Sequence, residues 1–449
     1  MKIAWYTPFS EHSAIGHFSQ LAVAALRERE ADVTVVRCER RTPEIRALPS
    51  LEDAVPTIWA EDLNRNTAKK LQPFDVVIYN LGDQFDYHAY SVYHQKRVPG
   101  ITILHDYIIH NALNGFVLRT EDQGSNYRGY LFSERGGEAL SVMDDKYAQG
   151  KQDEWWNQEI ARFPLLRWAM AETLGTVTHA NHYRSLVAEH IGCPTSTIPL
   201  AYDAITQADP PPKPGNGELF TIVTIGSLNP NKRYDAVIRA IHSSPLLRDR
   251  CRYRIVGGAE EGQVEKIQQT IDSLSANLDV TFTGRVDRAT LEREVSNAHI
   301  ISCLRSPTFE GASASVIEGL RSRRPVIVSD TGCYAEIPHE LVLKVNPEKE
   351  QQDLVAHLES VVNNYEKAKA RANQANLWAE TNHAPHAYAN SLLTFIDNVL
   401  YNQTALRVTD HIADQLNRWN IQPDSPLISR VDQGMRDLFS TPERLPDAA

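Results

Sequence analysis

Short apolar, β-branched segments alternate with amphipathic segments along this chain, and the alternation occurs twice, before and after a proline-rich stretch at residues 207–217. Proline is poorly tolerated inside helices and central strands, so this stretch is predicted to be a linker. Strand–helix alternation with apolar strands is typical of parallel sheets covered by helices on both faces. The predicted strands cover residues 2–6, 33–36, 75–79, 100–104 and 176–178 before the linker, and 220–225, 254–258, 280–282, 299–303 and 325–330 after it.

The length of 449 residues exceeds what one hydrophobic core usually supports. We therefore predict an α/β protein with two doubly wound, Rossmann-like domains that face a central cleft. The first covers residues 1–206 and the second residues 218–385, while residues 386–449 form C-terminal helices that we expect to pack back on the N-terminal domain. A polar excursion at about 117–159 interrupts the first domain. It is either a surface helical insertion or part of an acceptor-binding surface.

Composition excludes several classes of function. The formal net charge is −11 and no long lysine or arginine run occurs, which argues against a nucleic-acid partner. Five cysteines are scattered singly, as expected in a reducing cytoplasm.

The chain starts directly with a predicted strand, and no apolar run reaches the ~20 residues of a membrane span, so we expect neither signal peptide nor anchor. The expected location is the cytoplasm. Peripheral contact with the inner face of the membrane is left open, and the oligomeric state is not indicated.

The segment at residues 309–320, FEGASASVIEGL, combines a glycine-containing loop with the start of a predicted helix. The first amides of a helix lack intrahelical partners and lie at the positive end of the helix dipole, so they attract anions. Glu310 lies just before these amides and Glu318 lies inside the helix. The amides could bind a diphosphate and the carboxylates could bind hydroxyl groups. This combination suits a sugar attached to a nucleoside diphosphate. Two solvated glutamates on an ordinary helix are the alternative.

The segment at residues 226–233, GSLNPNKR, follows the first strand of the second domain. Cleavage of a sugar–phosphate bond leaves a diphosphate whose growing negative charge needs cations nearby. Lys232 supplies a point charge and Arg233 a fork that suits phosphate. With these cations and a helix N-terminus available, we expect activity without a metal ion or other cofactor. Solvated charges on a turn are the alternative.

The first domain offers two candidates at the ends of predicted strands. Gly16 lies in the loop after the first strand, where the lack of a side chain would let backbone approach phosphate or sugar. His105 ends the strand at 100–104 and would lie at the edge of the cleft. A helix-leading turn and a structural histidine are the respective alternatives.

Together these motifs resemble the retaining, two-domain glycosyltransferases of glycosyltransferase family 4, which have the GT-B fold. The resemblance covers about residues 1–400 and is strongest in the second domain. That family carries two glutamates separated by seven residues with glycine after the first, as in Glu310-Gly311 and Glu318. It also carries Gly-Arg with a lysine five residues after the arginine. Lys232 matches the lysine, but Ser227 stands at the arginine position, and Arg233 is expected to replace the missing cation.

The resemblance implies roles for the remaining candidates. Glu318 would bind the donor ribose, while Glu310 and His105 would contact the donor sugar. The loop with Arg285 and Val286 would bracket the nucleobase, unless it is a plain turn. The backbone after Glu310 would hold the diphosphate or the sugar through the amides of Gly311, Ala312, Ser313 and Ala314, and Gly226 opens the cationic segment.

These observations predict a retaining glycosyltransferase that moves a hexose from a nucleoside-diphosphate sugar to a hydroxyl of a glycan or lipid-linked glycan. Synthesis of a surface polysaccharide is the setting that the resemblance implies. Two alternatives stay open: a nucleotide-sugar epimerase of the same fold, and a non-catalytic sugar- or partner-binding member of a glycan assembly complex.

Overall fold

The computed structural model describes residues 1–11, 13–48, 55–119, 125–259, 262–274 and 278–439. The chain divides into two compact units, Met1–Ser391 and Leu392–Ala449. The first unit contains two separate parallel β-sheets, and the described part of the second, residues 392–439, is mainly helical. The fold prediction of two doubly wound α/β domains is therefore confirmed.

The N-terminal sheet is seven-stranded, parallel throughout, and ordered β3-β2-β1-β4-β5-β6-β7. Its central strand β4 is buried along its whole length, as a strand covered by helices on both faces must be. The order reverses direction between β1 and β4, which is where such sheets open a crevice for ligands. The strands are β1 (Lys2–Thr7), β2 (Asp32–Arg37), β3 (Thr57–Trp59), β4 (Val76–Leu81), β5 (Gly100–Leu104), β6 (Thr173–Thr178) and β7 (Thr195–Thr197).

The helices of this domain include the polar excursion predicted at 117–159, of which residues 120–124 lie outside the described residues. The long helix α6 is interrupted at Gly136 (φ 65°, ψ −155°), and its apolar side joins the hydrophobic core together with buried Trp155. The helices are α1 (Ala14–Arg27), α2 (Pro43–Arg46), α3 (Thr67–Leu71), α4 (Phe85–Gln95), α5 (His110–Arg119), α6 (Ser125–Ala148), α7 (Gln152–Asn157), α8 (Leu166–Met170) and α9 (Asn181–Ile191), with 3-10 turns at Ala60–Leu63 and Glu159–Arg162.

The second sheet is six-stranded and parallel, with the order β10-β9-β8-β11-β12-β13. This is the same sequence of crossovers as in the first six strands of the N-terminal sheet, with the reversal between β8 and β11. Its strands are β8 (Phe220–Ile225), β9 (Cys251–Val256), β10 (Val280–Phe282), β11 (Ile300–Cys303), β12 (Val326–Ser329) and β13 (Leu343–Val345).

The helices of the second half pack on this sheet and then continue to the C-terminus. They are α10 (Tyr234–Ser243), α11 (Pro245–Arg250), α12 (Gln263–Ser273), α13 (Arg288–Ser296), α14 (Ala314–Arg321), α15 (Glu350–Asn363), α16 (Tyr365–Asn382), α17 (Pro385–Arg418) and α18 (Pro426–Phe439), with 3-10 turns at Pro230–Lys232, Gly332–Glu336 and Pro347–Lys349. The domain boundaries from the sequence, and the packing of the C-terminal helices on the first domain, stay predictions. Among the helices that the structure describes, none combines the length and apolar character of a membrane span.

The predicted position of Gly16 in a loop is wrong. Helix α1 begins at Ala14 and includes Gly16, because the Ser13 hydroxyl caps it by accepting from the Gly16 amide (3.0 Å). A Cβ on Gly16 would lie 2.9 Å from the Pro8 carbonyl oxygen, so glycine is needed there for packing.

Candidate active site

A cavity of about 1200 Å³ lies between the carboxyl ends of the two sheets. Loops that follow β1, β4 and β5 form one wall, and loops that follow β8, β9, β10 and β11 form the other. Both reversal points of strand order therefore open into the same space, as expected for a ligand site in doubly wound sheets. Among the predicted site residues, the cavity is lined by His105, Gly226, Lys232, Arg285, Glu310, Ala312, Ser313, Ala314 and Glu318.

Two backbone hydrogen bonds join the loops of the two domains at one end of this cavity. The Tyr107 amide donates to the Phe309 carbonyl (3.0 Å), and the Gly311 amide donates to the His105 carbonyl (2.7 Å). A Cβ on Gly311 would stand 3.0 Å from that same carbonyl oxygen, so close approach of the loops requires glycine. The Gly311 amide is thus occupied by protein, and Gly311 does not line the cavity. Its predicted role as an amide for the diphosphate is not supported.

The first turn of α14 lines the cavity. Ser313 is the N-cap, and its side chain makes no capping hydrogen bond. Its hydroxyl instead lies 3.1 Å from that of Ser315. Ala312, Ser313, Ala314 and Ser315 all line the cavity. The amides at the start of α14 therefore face a space in which an anion would be stabilised by the helix dipole.

Lys232 points its ammonium group into the carboxyl end of β8. The group donates to the Ile225 carbonyl (2.8 Å), and the side chain is buried while lining the cavity. Gly226, at φ 100°, makes room for it, because a Cβ there would lie 2.3 Å from the ammonium nitrogen. Burial, and then the positive charge of Arg305, lowers the pKa of Lys232 to about 7. An anion in the cavity would reverse much of that shift.

Arg233 does not contribute its predicted cation to this site. The residue adopts a left-handed conformation (φ 56°). Its guanidinium donates to the Glu350 carboxylate, from Nε to Oε1 (2.9 Å) and from Nη2 to Oε2 (2.6 Å). It does not line the cavity. The turn that aims Lys232 inward carries the next side chain outward.

The sequence reasoning missed Arg305, which follows β11. Its side chain is 8% exposed and lines the cavity, and its Nε lies 2.7 Å from Oε1 of Glu310. The available signal was a cation placed two residues after a predicted buried strand and five residues before the motif glutamate. Glu310 also accepts from the Tyr334 hydroxyl, so its carboxylate is held from two sides.

Glu318 lies inside α14 and is buried, yet it lines the cavity. Burial raises its pKa to about 8, although Arg288, whose Nη1 stands 3.7 Å from Oε1, and Lys232 pull the pKa down. A carboxyl group that is protonated near neutral pH can both donate and accept hydrogen bonds. That property suits recognition of a pair of sugar hydroxyls.

His105 is held firmly at the end of β5. Its Nε2 lies 2.9 Å from Oδ1 of Asn80, and its Nδ1 lies 3.3 Å from Nε2 of His179. Burial and the neighbouring histidines lower its pKa, so the ring is neutral. Asp106, beside it, accepts from the Asp83 amide (2.8 Å) and thereby orders the loop after β4.

The nucleobase loop is only partly as predicted. Arg285 lines the cavity and packs against Gly258, whose Cβ position is 3.5 Å from the arginine Nε. Val286 does not line the cavity but packs against the hydrophobic core.

Gly16 does not line the cavity either, whereas its neighbours Ser13, Ala14 and Ile15 do. In the part of the chain that the structure describes, no group of three or more His, Cys, Asp or Glu side chains could hold a metal ion.

Residues 206–378 match the family model "Glycosyl transferases group 1". No curated protein sequence matches the chain. Among solved structures, HepE from Anabaena in complex with UDP is 14% identical and has a TM-score of 0.59, with 89% of this chain and 100% of HepE covered. A sucrose-phosphate synthase from Thermosynechococcus elongatus is 12% identical with a TM-score of 0.57, covering 89% and 99%.

A third similar structure is WaaG, a glycosyltransferase involved in lipopolysaccharide biosynthesis, which is 14% identical with a TM-score of 0.54 and covers 86% of this chain and 98% of its own. At this level of identity the three structures establish the fold alone, which is GT-B. The family match supports glycosyltransferase activity for this chain. The match covers the second domain, which supplies Lys232, Arg305, Glu310 and Glu318 to the cavity.

Proposed function

We propose that this chain is a retaining glycosyltransferase of family 4 that transfers a hexose from a nucleoside-diphosphate sugar to a hydroxyl of a glycan or lipid-linked glycan. One observation carries the proposal. A single cavity brings together a buried ammonium group, the N-terminus of a helix, two glutamates and, from the other domain, a histidine. The ammonium group and the helix N-terminus suit a diphosphate. The glutamates and the histidine suit the hydroxyl groups of a hexose and a ribose.

The diphosphate is proposed to lie between Lys232 and the first turn of α14. Its charge would offset the desolvation that lowers the pKa of Lys232 to about 7, so the ammonium form would be favoured once donor is bound. Glu318 would bind the ribose, and Glu310 and His105 the hexose. Arg285 and the turn at Gly258 line the end of the cavity proposed for the nucleobase.

In the proposed reaction the bond between the sugar C1 and the phosphate oxygen breaks, and the bonding electrons pass to the phosphate. The acceptor oxygen bonds to C1 on the same face, and its proton passes to the departing phosphate. Lys232 and the α14 amides stabilise the negative charge that develops there, which is the largest contribution to such a step. No protein side chain is required as a strong base, and no metal ion is required as a counter-charge.

The experiment is a thermal-shift screen with UDP-, GDP-, ADP- and dTDP-sugars, starting with UDP-glucose because HepE has been crystallised with it. A ligand at about 100 times its Kd stabilises the folded state by about 2.7 kcal/mol. Lys232→Met should lose the shift, while the exposed Arg239→Met on α10 should keep it. The absence of a shift with every donor would refute the proposal.

The best donor then enters a transfer assay with glycan and lipid-linked glycan acceptors. NMR of the product should show the anomeric configuration of the donor, and inversion would refute a retaining mechanism. Conversion of the donor sugar to an epimer without acceptor would favour an epimerase. A role in surface polysaccharide synthesis in the cytoplasm, with peripheral contact at the membrane, is part of the same proposal.

A further inference from the structure

Arg305 is a cation in the candidate site that none of the roles above uses. Its guanidinium is bound at two points: Nε lies 2.7 Å from Oε1 of Glu310, and Nη1 donates to the Leu304 carbonyl (2.7 Å). Among the described residues, no hydrogen bond from Nη2 is found, and the residue lines the cavity. The guanidinium is therefore held by protein at Nε and Nη1, and the residue also borders the space that a ligand would fill.

The position of Arg305 is tied to that of Lys232. The Ser306 amide donates to the Asn231 carbonyl (2.8 Å), so the segment after β11 is joined to the turn that carries Lys232. Arg305 is also the neighbour whose positive charge contributes most to depressing the pKa of Lys232. Two buried cations held close together repel each other, and Glu310 offsets only part of their charge, so an anion bound between them would be stabilised by both.

The positions that the sequence suggested do not supply this second charge. Arg233 is bound to Glu350 outside the cavity, and Ser227, which lines the cavity after β8, is uncharged. Arg285 packs against Gly258 after β9 and acts electrostatically on Tyr87. Arg305 is the guanidinium beside both the ammonium and Glu310.

We propose that Arg305 is a catalytic residue that binds the β-phosphate of the donor together with Lys232, while its Nε keeps Glu310 directed at the transferred sugar. This inference rests on the proposed function and deepens it. When the C1–O bond breaks, the β-phosphate oxygen receives the electron pair and then the proton of the acceptor hydroxyl. Arg305 stabilises the charge on that phosphate in the interval, and a planar guanidinium can do so through two hydrogen bonds.

The test compares Arg305→Met, Arg305→Lys, Glu310→Gln and the parent chain in calorimetric binding of UDP, GDP, ADP and dTDP and of the matching monophosphates. Loss of one charge-assisted contact predicts that Arg305→Met binds its preferred diphosphate about 10- to 100-fold more weakly. The monophosphate, which has no β-phosphate, should bind almost as in the parent. Glu310→Gln should retain the parental ratio of diphosphate to monophosphate affinity, and Arg305→Lys should recover part of it.

Turnover with the preferred donor sugar is the second measurement. Because the contact strengthens as charge develops on the leaving group, Arg305→Met should lower kcat by about 100- to 1000-fold. Arg239→Met, on the exposed face of α10, is the matched control and should keep parental binding and kcat. Circular dichroism and unfolding in the absence of ligand show whether each variant is folded. If Arg305→Met does not fold, the comparison is made with Arg305→Lys.

The outcomes separate this inference from the proposed function. If the parent binds none of the diphosphates, both are overturned. A merely structural change, or a role through Glu310, would weaken the binding of diphosphate and monophosphate equally. If the parent binds a diphosphate and Arg305→Met shows that equal weakening, only the assignment of Arg305 is overturned. An Arg305→Lys variant that binds diphosphate no better than Arg305→Met also overturns it.

Discussion

Glu318 is a carboxyl group that the fold buries beneath the candidate site, and its replacement by glutamine tests the electrostatics of that site directly. Burial raises its pKa from an ordinary value of 4.5 to about 8. The folded state therefore holds the proton more tightly than the unfolded chain does. The resulting stabilisation is present in full below about pH 4.5 and is lost as the pH rises through about 8.

The size of the effect follows from the two pKa values. Each pKa unit corresponds to about 1.4 kcal/mol, so the carboxyl group should lower the free energy of unfolding by about 3 kcal/mol between about pH 5.5 and about pH 8. Glu318→Gln has nearly the same volume and does not titrate. The variant should lose that part of the pH dependence, and its stability relative to the parent should increase toward alkaline pH.

Urea unfolding of parent and variant at a series of pH values measures this difference. Contributions from other titrating groups largely cancel when the two curves are subtracted. Glu265→Gln, on the exposed side of α12, makes the same chemical change without burial and should leave the parental pH dependence. Parallel curves for the parent and Glu318→Gln would refute the reasoning, because they would mean that the carboxyl group is ionised in the folded protein.

Three other results are expected. Because the pKa of Lys232 is lowered to about 7, kcat/KM for the donor should fall as the pH rises through that value, and a flat pH–rate profile would contradict this. Gly226→Ala places a Cβ 2.3 Å from the Lys232 ammonium nitrogen at φ 100°. It should weaken donor binding in calorimetry at least about tenfold and destabilise the fold by about 1–3 kcal/mol, and parental affinity would contradict the assigned position of the ammonium group. Transfer activity should survive dialysis against EDTA, because Lys232, Arg305 and the start of α14 supply the positive charge. Loss that manganese restores would rule out metal independence.

Most of the fold was predictable because the spacing of apolar residues and the residue types determine strands and helices locally. The strand predicted at 220–225 coincides with β8, and the one at 100–104 coincides with β5. The three-residue strand β7, Thr195–Thr197, was not predicted, since polar residues at a sheet edge lack the apolar signal of a buried strand. The start of α1 was misplaced because Gly16 suggested a loop, whereas the Ser13 cap extends the helix past it.

The two sides of the candidate site differed in how far sequence could define them. Glu310 and Glu318 were found because they stand at a helix start that follows a strand, and Lys232 because it follows the first strand of the second domain. Arg233 and Arg305 show the limit of that reasoning. Arg233 is next to Lys232 in sequence but pairs with Glu350, whereas Arg305 is 73 positions away and shares the cavity with it.

The sequence by itself determined the two doubly wound sheets and the loops where ligand-binding groups occur, because strand ends and helix starts are local features. Only the tertiary structure decided which of those groups share one space. The left-handed turn at Arg233 directs its guanidinium outward, and the hydrogen bond from Ser306 to Asn231 brings Arg305 beside Lys232. The electrostatic character of the site is likewise tertiary, because the shifted pKa values of Lys232 and Glu318 come from burial by residues distant in the chain.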